Sequence, residues 1–208
     1  MRTKHRRPPR GIRRQQMIDA AVSVFSRGDY HTVRVDEIAR AAGTSKPTVY
    51  HHLGSKEGIF TACVRREAER LIEALSAAVH DPRAPGGEDP LHRGMLAFFT
   101  FVTHNRDSWT VLYRRAAGQG EPFAGEIART RDRVTAEVAD LISTCTAASA
   151  PARREAELLA RVAVSTADAF ADWLLDHPEE TPNTMAGHVT ALTWSSLAPV
   201  RHGEPVAP

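Results

Sequence analysis

Cysteine is nearly absent: Cys63 and Cys145 are the only two in 208 residues. They stand far apart with no neighbour at metal-ligand spacing, which argues against a disulfide scaffold or a Cys-based metal site and fits a reducing cytoplasm. No run of about 18 apolar residues occurs, and the basic N-terminus leads into Pro8, Pro9 and Gly11 instead of an apolar segment. Neither export nor a membrane span is therefore expected. The chain also lacks strand-like alternation, internal repeats, a glycine-rich phosphate loop, a nucleophile elbow and a His-Glu zinc motif, so nothing short and local calls for catalysis, a cofactor or a metal. With 42% hydrophobic residues the chain is long enough for a small domain plus a larger one, each with a core.

Lysine is scarce too. Lys4, Lys46 and Lys56 are all there are, and all fall in the first 60 residues. The net charge of +2 conceals a sorting by region: residues 1–60 carry 12 Lys or Arg against 5 Asp or Glu, whereas residues 61–208 carry 15 against 20. A positive front and a negative rear form the electrostatic footprint expected when the front meets phosphate. Residues 1–14 hold seven basic side chains and no acid. That density predicts a disordered arm, which is either a solubilising tail or a positive strand that follows the DNA minor groove.

What is present is punctuation, densest from Thr32 to Phe60. Val35, Ile38, Ala39 and Ala42 recur at helical spacing, with Asp36, Glu37 and Arg40 turned to water. Gly43 allows the positive φ of a tight stop, and Ser45 follows as the N-cap of a second helix with Pro47 in its first turn. Val49 and Leu53 hold that helix inward, leaving Lys46, Thr48, His51 and His52 outward. Two short helices around a glycine turn form a helix-turn-helix, whose second helix enters the major groove. Ahead of it, Ile18, Ala21, Val22 and Phe25 mark a third helix ending at Gly28, with Tyr30 and Val33 packing beneath the motif.

The continuation TVYHHLGSKEGIF narrows the reading. Ile38, Ala39, Ala42, Gly43, Ser45, Thr48, Tyr50, Ser55, Lys56 and Glu57 stand in the register of the tetracycline-repressor (TetR) family of bacterial regulators, which this stretch resembles over about residues 12–62. Leu53 replaces the family's usual Phe, and Arg34 stands where a capping Ser or Thr is common. The resemblance implies an all-α fold of nine helices: a three-helix DNA-binding head over 12–55 and a six-helix ligand-binding and dimerisation domain over 56–198, with a flexible tail at 199–208.

Behind the motif, Ser55 opens a helix of about Lys56 to Val79, some 36 Å long at 1.5 Å per residue and too long for the head alone. Gly58 in its first turn reads as a close-packing position. Residues 81–90, DPRAPGGEDP, are an exposed loop. Leu91, Met95, Phe98, Phe99 and Val102, widened by Ala97 and Phe101, make a helix apolar over most of its circumference and hence central. A short helix carries Trp109, Val111, Leu112 and Tyr113 and ends near Gly118 and Gly120. Glu121 and Pro122 open another, bearing Ile127, Val134, Val138, Leu141 and Cys145. A loop at 148–151 precedes a helix of about 152–175, and HPEETPN separates it from a last helix ending near Leu197. Asp168, Asp172 and Asp176 form a carboxylate row to which His177 or His188 could add a metal ligand, but a solvated helix face opposite Phe170, Trp173 and Leu174 is the expected reading.

These features predict a cytoplasmic one-component regulator, a homodimer on a near-palindromic double-stranded operator that is released by a small apolar or amphipathic effector. Thr44, Ser45, Tyr50, His52 and Lys56 are expected at phosphates, and Lys46, Pro47, Thr48 and His51 at base edges. An effector pocket is expected to be walled by Phe98, Phe101, Trp109, Leu112 and Tyr113, with Asn105 or Arg114 orienting a polar group. The dimer is expected to form through Leu158, Leu159, Val162, Phe170, Trp173 and Leu174 on one helix and Val189, Leu192 and Leu197 on the next, as an isologous four-helix bundle. Two alternatives stand beside it: an all-α enzyme or carrier domain brought to DNA by the head, and a dimer that binds DNA without a ligand.

Overall fold

The computed structural model describes the backbone of residues 10–115, 123–145 and 150–201. Over these residues the chain forms α1 (Arg10–Arg27), α2 (Val35–Ala41), α3 (Lys46–Leu53), α4 (Lys56–Val79), α5 (Pro90–His104), α6 (Arg106–Trp109), a π-helical turn (Thr110–Arg115), α7 (Phe123–Cys145), α8 (Ala150–Asp176) and α9 (Pro182–Arg201). No strand occurs among the described residues. The all-α expectation holds.

The chain divides into two compact units, one made of residues up to Ala68 together with Asp107–Ile127, the other of Glu69–Arg106 together with Ala128 onward. In the first unit α1, α2 and α3 pack about one core, in which Ile18, Ala21, Phe25, Ile38 and Val49 are almost wholly buried with Ile59, Phe60, Cys63 and Val64 of α4. Val111 of the π-helical turn and Phe123 of α7 complete that core from much later in the chain. Phe25, Tyr30, Phe60 and Phe123 meet there: Phe60 stands edge-on to Phe25 at 4.8 Å and to Phe123 at 4.7 Å, with Tyr30 5.0 Å from Phe123. Such edge-to-face contacts add about 0.5–1.5 kcal/mol each beyond the area they bury. Beside them Arg66, on α4, bonds Asp19 of α1 and its neighbour Glu67, whose side chain is fully buried. That pairing removes the cost of leaving a carboxylate alone in the core.

Gly58 sits where a Cβ would lie 2.7 Å from the Leu53 carbonyl oxygen. The α3–α4 joint is this close only because the side chain is missing, and Ser55 Oγ caps the same turn by accepting from Gly58 N at 3.1 Å. The joint is a packing device.

In the second unit α5 is buried around most of its girth, through Leu91, Met95, Phe98, Phe99, Phe101 and Val102. It packs on α9 and α8. Asp89 caps α5 by accepting from Leu91 N at 2.8 Å, and the indole N–H of Trp194 on α9 donates to the same carboxylate. Arg93 closes the end of α4, donating to the carbonyls of Ala78 and Val79 at 3.2 and 3.0 Å. It supplies orphan helix-end acceptors with donors.

The structure differs from expectation at several helix ends. α1 begins at Arg10, so Arg10, Arg13 and Arg14 of the basic stretch are helical; arginine is a good helix former, and charge alone does not unwind a turn that leads into an apolar face. Residues 1–9 lie outside the described residues. Ala150 and Pro151 belong to the first turn of α8, where proline's missing N–H costs nothing. Residues 116–122 and 146–149, which hold the expected breaks at Gly118, Gly120, Glu121 and Pro122, lie outside the described residues, as does 202–208 of the tail.

Candidate nucleic-acid interface

The turn between α2 and α3 is closed by backbone bonds. Thr44 N donates to Ala39 O at 2.9 Å and Gly43 N to Arg40 O at 3.1 Å, the paired bonding by which a helix ends on a left-handed residue. Gly43 is that residue, at φ +59°. Ser45 then leaves the turn extended, at φ −96° and ψ 151°, and its Oγ accepts from Thr48 N at 3.4 Å while lying 2.8 Å from Thr48 Oγ1. With Pro47 in the first turn and Val49 and Leu53 buried, one face of α3 is held against the core. Arg34, at the start of α2, makes no side-chain cap.

The opposite face of α3 is open. Ser45, Lys46, Pro47, Tyr50 and His51 are exposed, while Thr44, Thr48, His52 and Lys56 are half-buried. Residues four apart stack along a helix, so Lys46 stands above Tyr50, Pro47 above His51 and Thr48 above His52. The His51 and His52 rings meet edge to face at 5.4 Å. Eight of the nine side chains expected at DNA thus lie on α3 or in the turn before it, and the ninth, Lys56, is the first residue of α4.

Two of these side chains have partners that sequence reading missed. Lys46 Nζ donates to Asp36 Oδ2 of α2 at 3.2 Å, and Arg34 Nη2 lies 3.8 Å from the same oxygen. Asp36, read as a solvated residue, is instead part of the face; the contact spans ten residues across the turn, and no local spacing signals it. Lys56 Nζ donates to His31 O at 3.0 Å and stands 4.9 Å from the Tyr30 ring centroid. Burial and the nearby Glu57 carboxylate both hold the Tyr30 hydroxyl above its ordinary pKa, so it faces Lys56 as a neutral ring.

The expected pocket residues fall in both units. Phe98, Phe101 and Asn105 belong to the second, where Phe98 and Phe101 are buried and Asn105 accepts from Arg70 at 2.9 Å while donating to Phe101 O at 2.9 Å. Phe101 and Asn105 line a groove of about 610 Å³ that also meets Ala74, Ala78, Leu96, Ala97 and Arg93. Trp109 and Tyr113 belong to the first unit and stack at 3.9 Å. The side chains of Leu112 and Arg114 lie outside the described residues.

On α8 and α9, Leu158, Val162, Trp173 and Leu192 are 65%, 58%, 43% and 52% exposed. Leu159 and Phe170 are half-buried. Leu174 and Val189, expected in the same surface row, are buried, so their apolar area is already satisfied within the unit. The Leu197 side chain lies outside the described residues. The carboxylate row needs a similar correction: Asp172 and Asp176 are exposed, but Asp168 is mostly buried, 2.6 Å from Arg131 Nη2. Among the described residues no cluster of three metal-ligating side chains forms.

Comparison with known proteins places this geometry. Residues 17–63 match the model for bacterial regulatory proteins of the tetR family, and residues 88–196, more than half of the chain, match the tetracyclin repressor-like C-terminal domain. The chain is similar to the HTH-type transcriptional activator FasR of Mycolicibacterium smegmatis, at 29% identity over 195 residues, covering 93% of this chain and 87% of that one. A TetR-like regulator from Rhodococcus sp. RHA1 is 37% identical and superimposes with a TM-score of 0.76, covering 92% of this chain and 99% of that one. A tetR-family regulator from Streptomyces coelicolor, 27% identical, gives a TM-score of 0.69 with 90% and 83% covered. A capped recognition helix with a donor-rich outer face and an all-α second unit, matched by family models at both ends, make this chain a member of the TetR family of transcriptional regulators.

Proposed function

We propose that the chain acts in the cytoplasm as a homodimer that represses transcription by occupying a near-palindromic operator, and that a small apolar or amphipathic effector releases it. The observation that carries this reading is the outer face of α3, where Lys46, Thr48, Tyr50, His51 and His52 project from a helix capped by Ser45 and braced by Val49 and Leu53. Lys46, Pro47, Thr48 and His51 face base edges; Thr44, Ser45, Tyr50, His52 and Lys56 face phosphates. Dimerisation through the exposed Leu158, Val162, Trp173 and Leu192 sets two copies of α3 about 34 Å apart, one turn of DNA. The effector lies beside α5, where Phe101 and Asn105 combine an apolar wall with a polar group. The family models and the relatives all describe regulators, which favours a sensor over an enzyme or carrier in the second unit.

Selecting the full-length protein's sites from random-sequence DNA, followed by footprinting, tests the reading. Two inverted half-sites one turn apart are expected, and the absence of any enriched sequence refutes it. Ligand affinity measured with and without that DNA tests the switch: the two affinities differ by about 5- to 150-fold if the effector releases DNA, since coupling between sites is reciprocal. Activation is the second reading, favoured by the similarity to FasR, itself named an activator. A promoter reporter separates the two: deleting the regulator raises expression under repression and lowers it under activation.

A further inference from the structure

We infer that Asp36 and Lys46 act as one paired reader of a G·C base pair in each half-site, Lys46 donating to guanine and Asp36 accepting from the cytosine opposite. The inference rests on the DNA-binding role of α3 proposed above and adds to it a residue of α2 and the identity of a base pair. Lys46 is the first residue of α3, and its Nζ donates to Asp36 Oδ2 at 3.2 Å. Both side chains remain open, 44% and 41% exposed, so neither is consumed by the fold. The described cation contacts of Asp36, from Lys46 and from Arg34, both fall on Oδ2, and a carboxylate with two oxygens keeps acceptor capacity beyond them. A lysine ammonium has three donors, and one bond to Asp36 leaves two.

The chemistry of a G·C pair fits this pattern. In the major groove guanine shows O6 and N7 as acceptors and cytosine shows its N4 amino group as a donor. O6 and N4 are bonded to each other in the pair and so lie about 2.9 Å apart, close to the separation of the ammonium and the carboxylate. A donor and an acceptor already side by side meet the two bases without either being stripped of a partner. An A·T pair with adenine in guanine's place reverses the demand, because N6 donates where Lys46 needs an acceptor and thymine O4 accepts where Asp36 needs a donor. A T·A pair keeps an acceptor and a donor in those places but sets the thymine methyl where guanine N7 accepts the second bond of Lys46. The carboxylate also repels phosphate oxygens, which keeps the flexible lysine off the backbone and directed at base edges. An acid among the donors proposed to face DNA weakens general affinity, and discrimination is what it offers in return.

The test uses the full-length protein and the operator selected by it, with each base pair of the half-site changed in turn and binding read by fluorescence anisotropy. The variants are Asp36→Ala, Asp36→Asn, Lys46→Met, the double variant of Asp36→Ala with Lys46→Met, and His51→Ala. At one G·C position the wild type is expected to lose about 5- to 150-fold on replacement by A·T with adenine in guanine's place, the range of one good base contact. Asp36→Ala and Lys46→Met each flatten that preference at the same position, and the double variant flattens it no further. Asp36→Asn, which keeps the shape and one acceptor but loses the charge, weakens the preference without abolishing it, and unchanged melting of each variant shows the fold intact. If Asp36→Ala changes affinity equally for all sequences, or if the two single variants act at different positions, the paired reader is wrong while α3 still binds DNA, as His51→Ala then shows by altering a position of its own. If no variant alters any preference, the reading of α3 as the recognition helix fails as well.

Discussion

The ammonium of Lys56 at the start of α4 donates to the carbonyl of His31 at 3.0 Å and stands over the ring of Tyr30, so a residue in the helix after the recognition helix ties down the loop between α1 and α2. One donor goes to the fold and the remaining N–H groups are left for a phosphate. Lys56→Ala is therefore expected to weaken binding to all DNA sequences, to lower the slope of log affinity against log salt by about one, and to cost roughly 1 kcal/mol of stability. Titrations at several salt concentrations and a denaturant melt check both parts. A change in base preference in place of a uniform loss refutes the phosphate role.

Gly58→Ala isolates the joint between α3 and α4. Helix propensity alone favours the variant by about 1 kcal/mol. The new Cβ would meet the Leu53 carbonyl oxygen at 2.7 Å, and backbone cannot yield as a side-chain tip does. The expected outcome is a lower melting temperature together with weaker operator binding, because α3 must shift. A variant more stable than the wild type shows that the joint has room.

Val111→Ala tests the insertion of the π-helical turn into the first unit's core. Val111 is wholly buried there. Removing two methyl groups costs about 1.5 kcal/mol by transfer, plus a cavity term. Hydrogen exchange is expected to speed up in α1 and around Phe60, although the substitution lies far away in sequence. Exchange confined to the turn itself contradicts the shared core.

Asp168 gives the second unit a pH dependence. Burial raises its pKa to about 6, against the opposing pull of Arg131 and with a further push from Asp172. Because the folded value exceeds the unfolded value of 3.8, the stabilising contribution is complete below pH 3.8 and is lost as pH rises through about 6. The span corresponds to roughly 3 kcal/mol at most. Asp168→Asn is expected to be more stable than the wild type above pH 7, with the difference closing toward pH 4, as read by urea unfolding across that range. A difference that is constant with pH shows that the Arg131 pair offsets burial in full, and one that reverses with pH shows that it outweighs burial.

Leu158→Asp and Val162→Asp probe the exposed row on α8. Each replaces surface apolar area with charge and leaves the unit's own core untouched. Dissociation to monomer by sedimentation at micromolar concentration is expected, with secondary structure unchanged and operator affinity reduced because two half-sites are no longer linked. A wild type that sediments as a monomer refutes the dimer itself.

The sequence alone determined what arises within a few residues. Gly43 and Ser45 announce the turn and the cap because a positive φ and a hydroxyl acceptor are local demands, and the spacing of Ile38, Val49 and Leu53 settles which faces turn inward. The outward face of α3 follows, and with it the side chains proposed to face DNA. Tertiary structure decided what depends on distant partners. Val111 and Phe123 join the first unit's core, Asp36 reaches Lys46 across the turn, and Lys56 is bound to a carbonyl 25 residues away. Leu174 is buried while Leu158 and Val162 on the same helix are exposed. Apolar residues of one kind at similar helical spacing read alike along a chain, and only the element packed against each of them separates core from open surface.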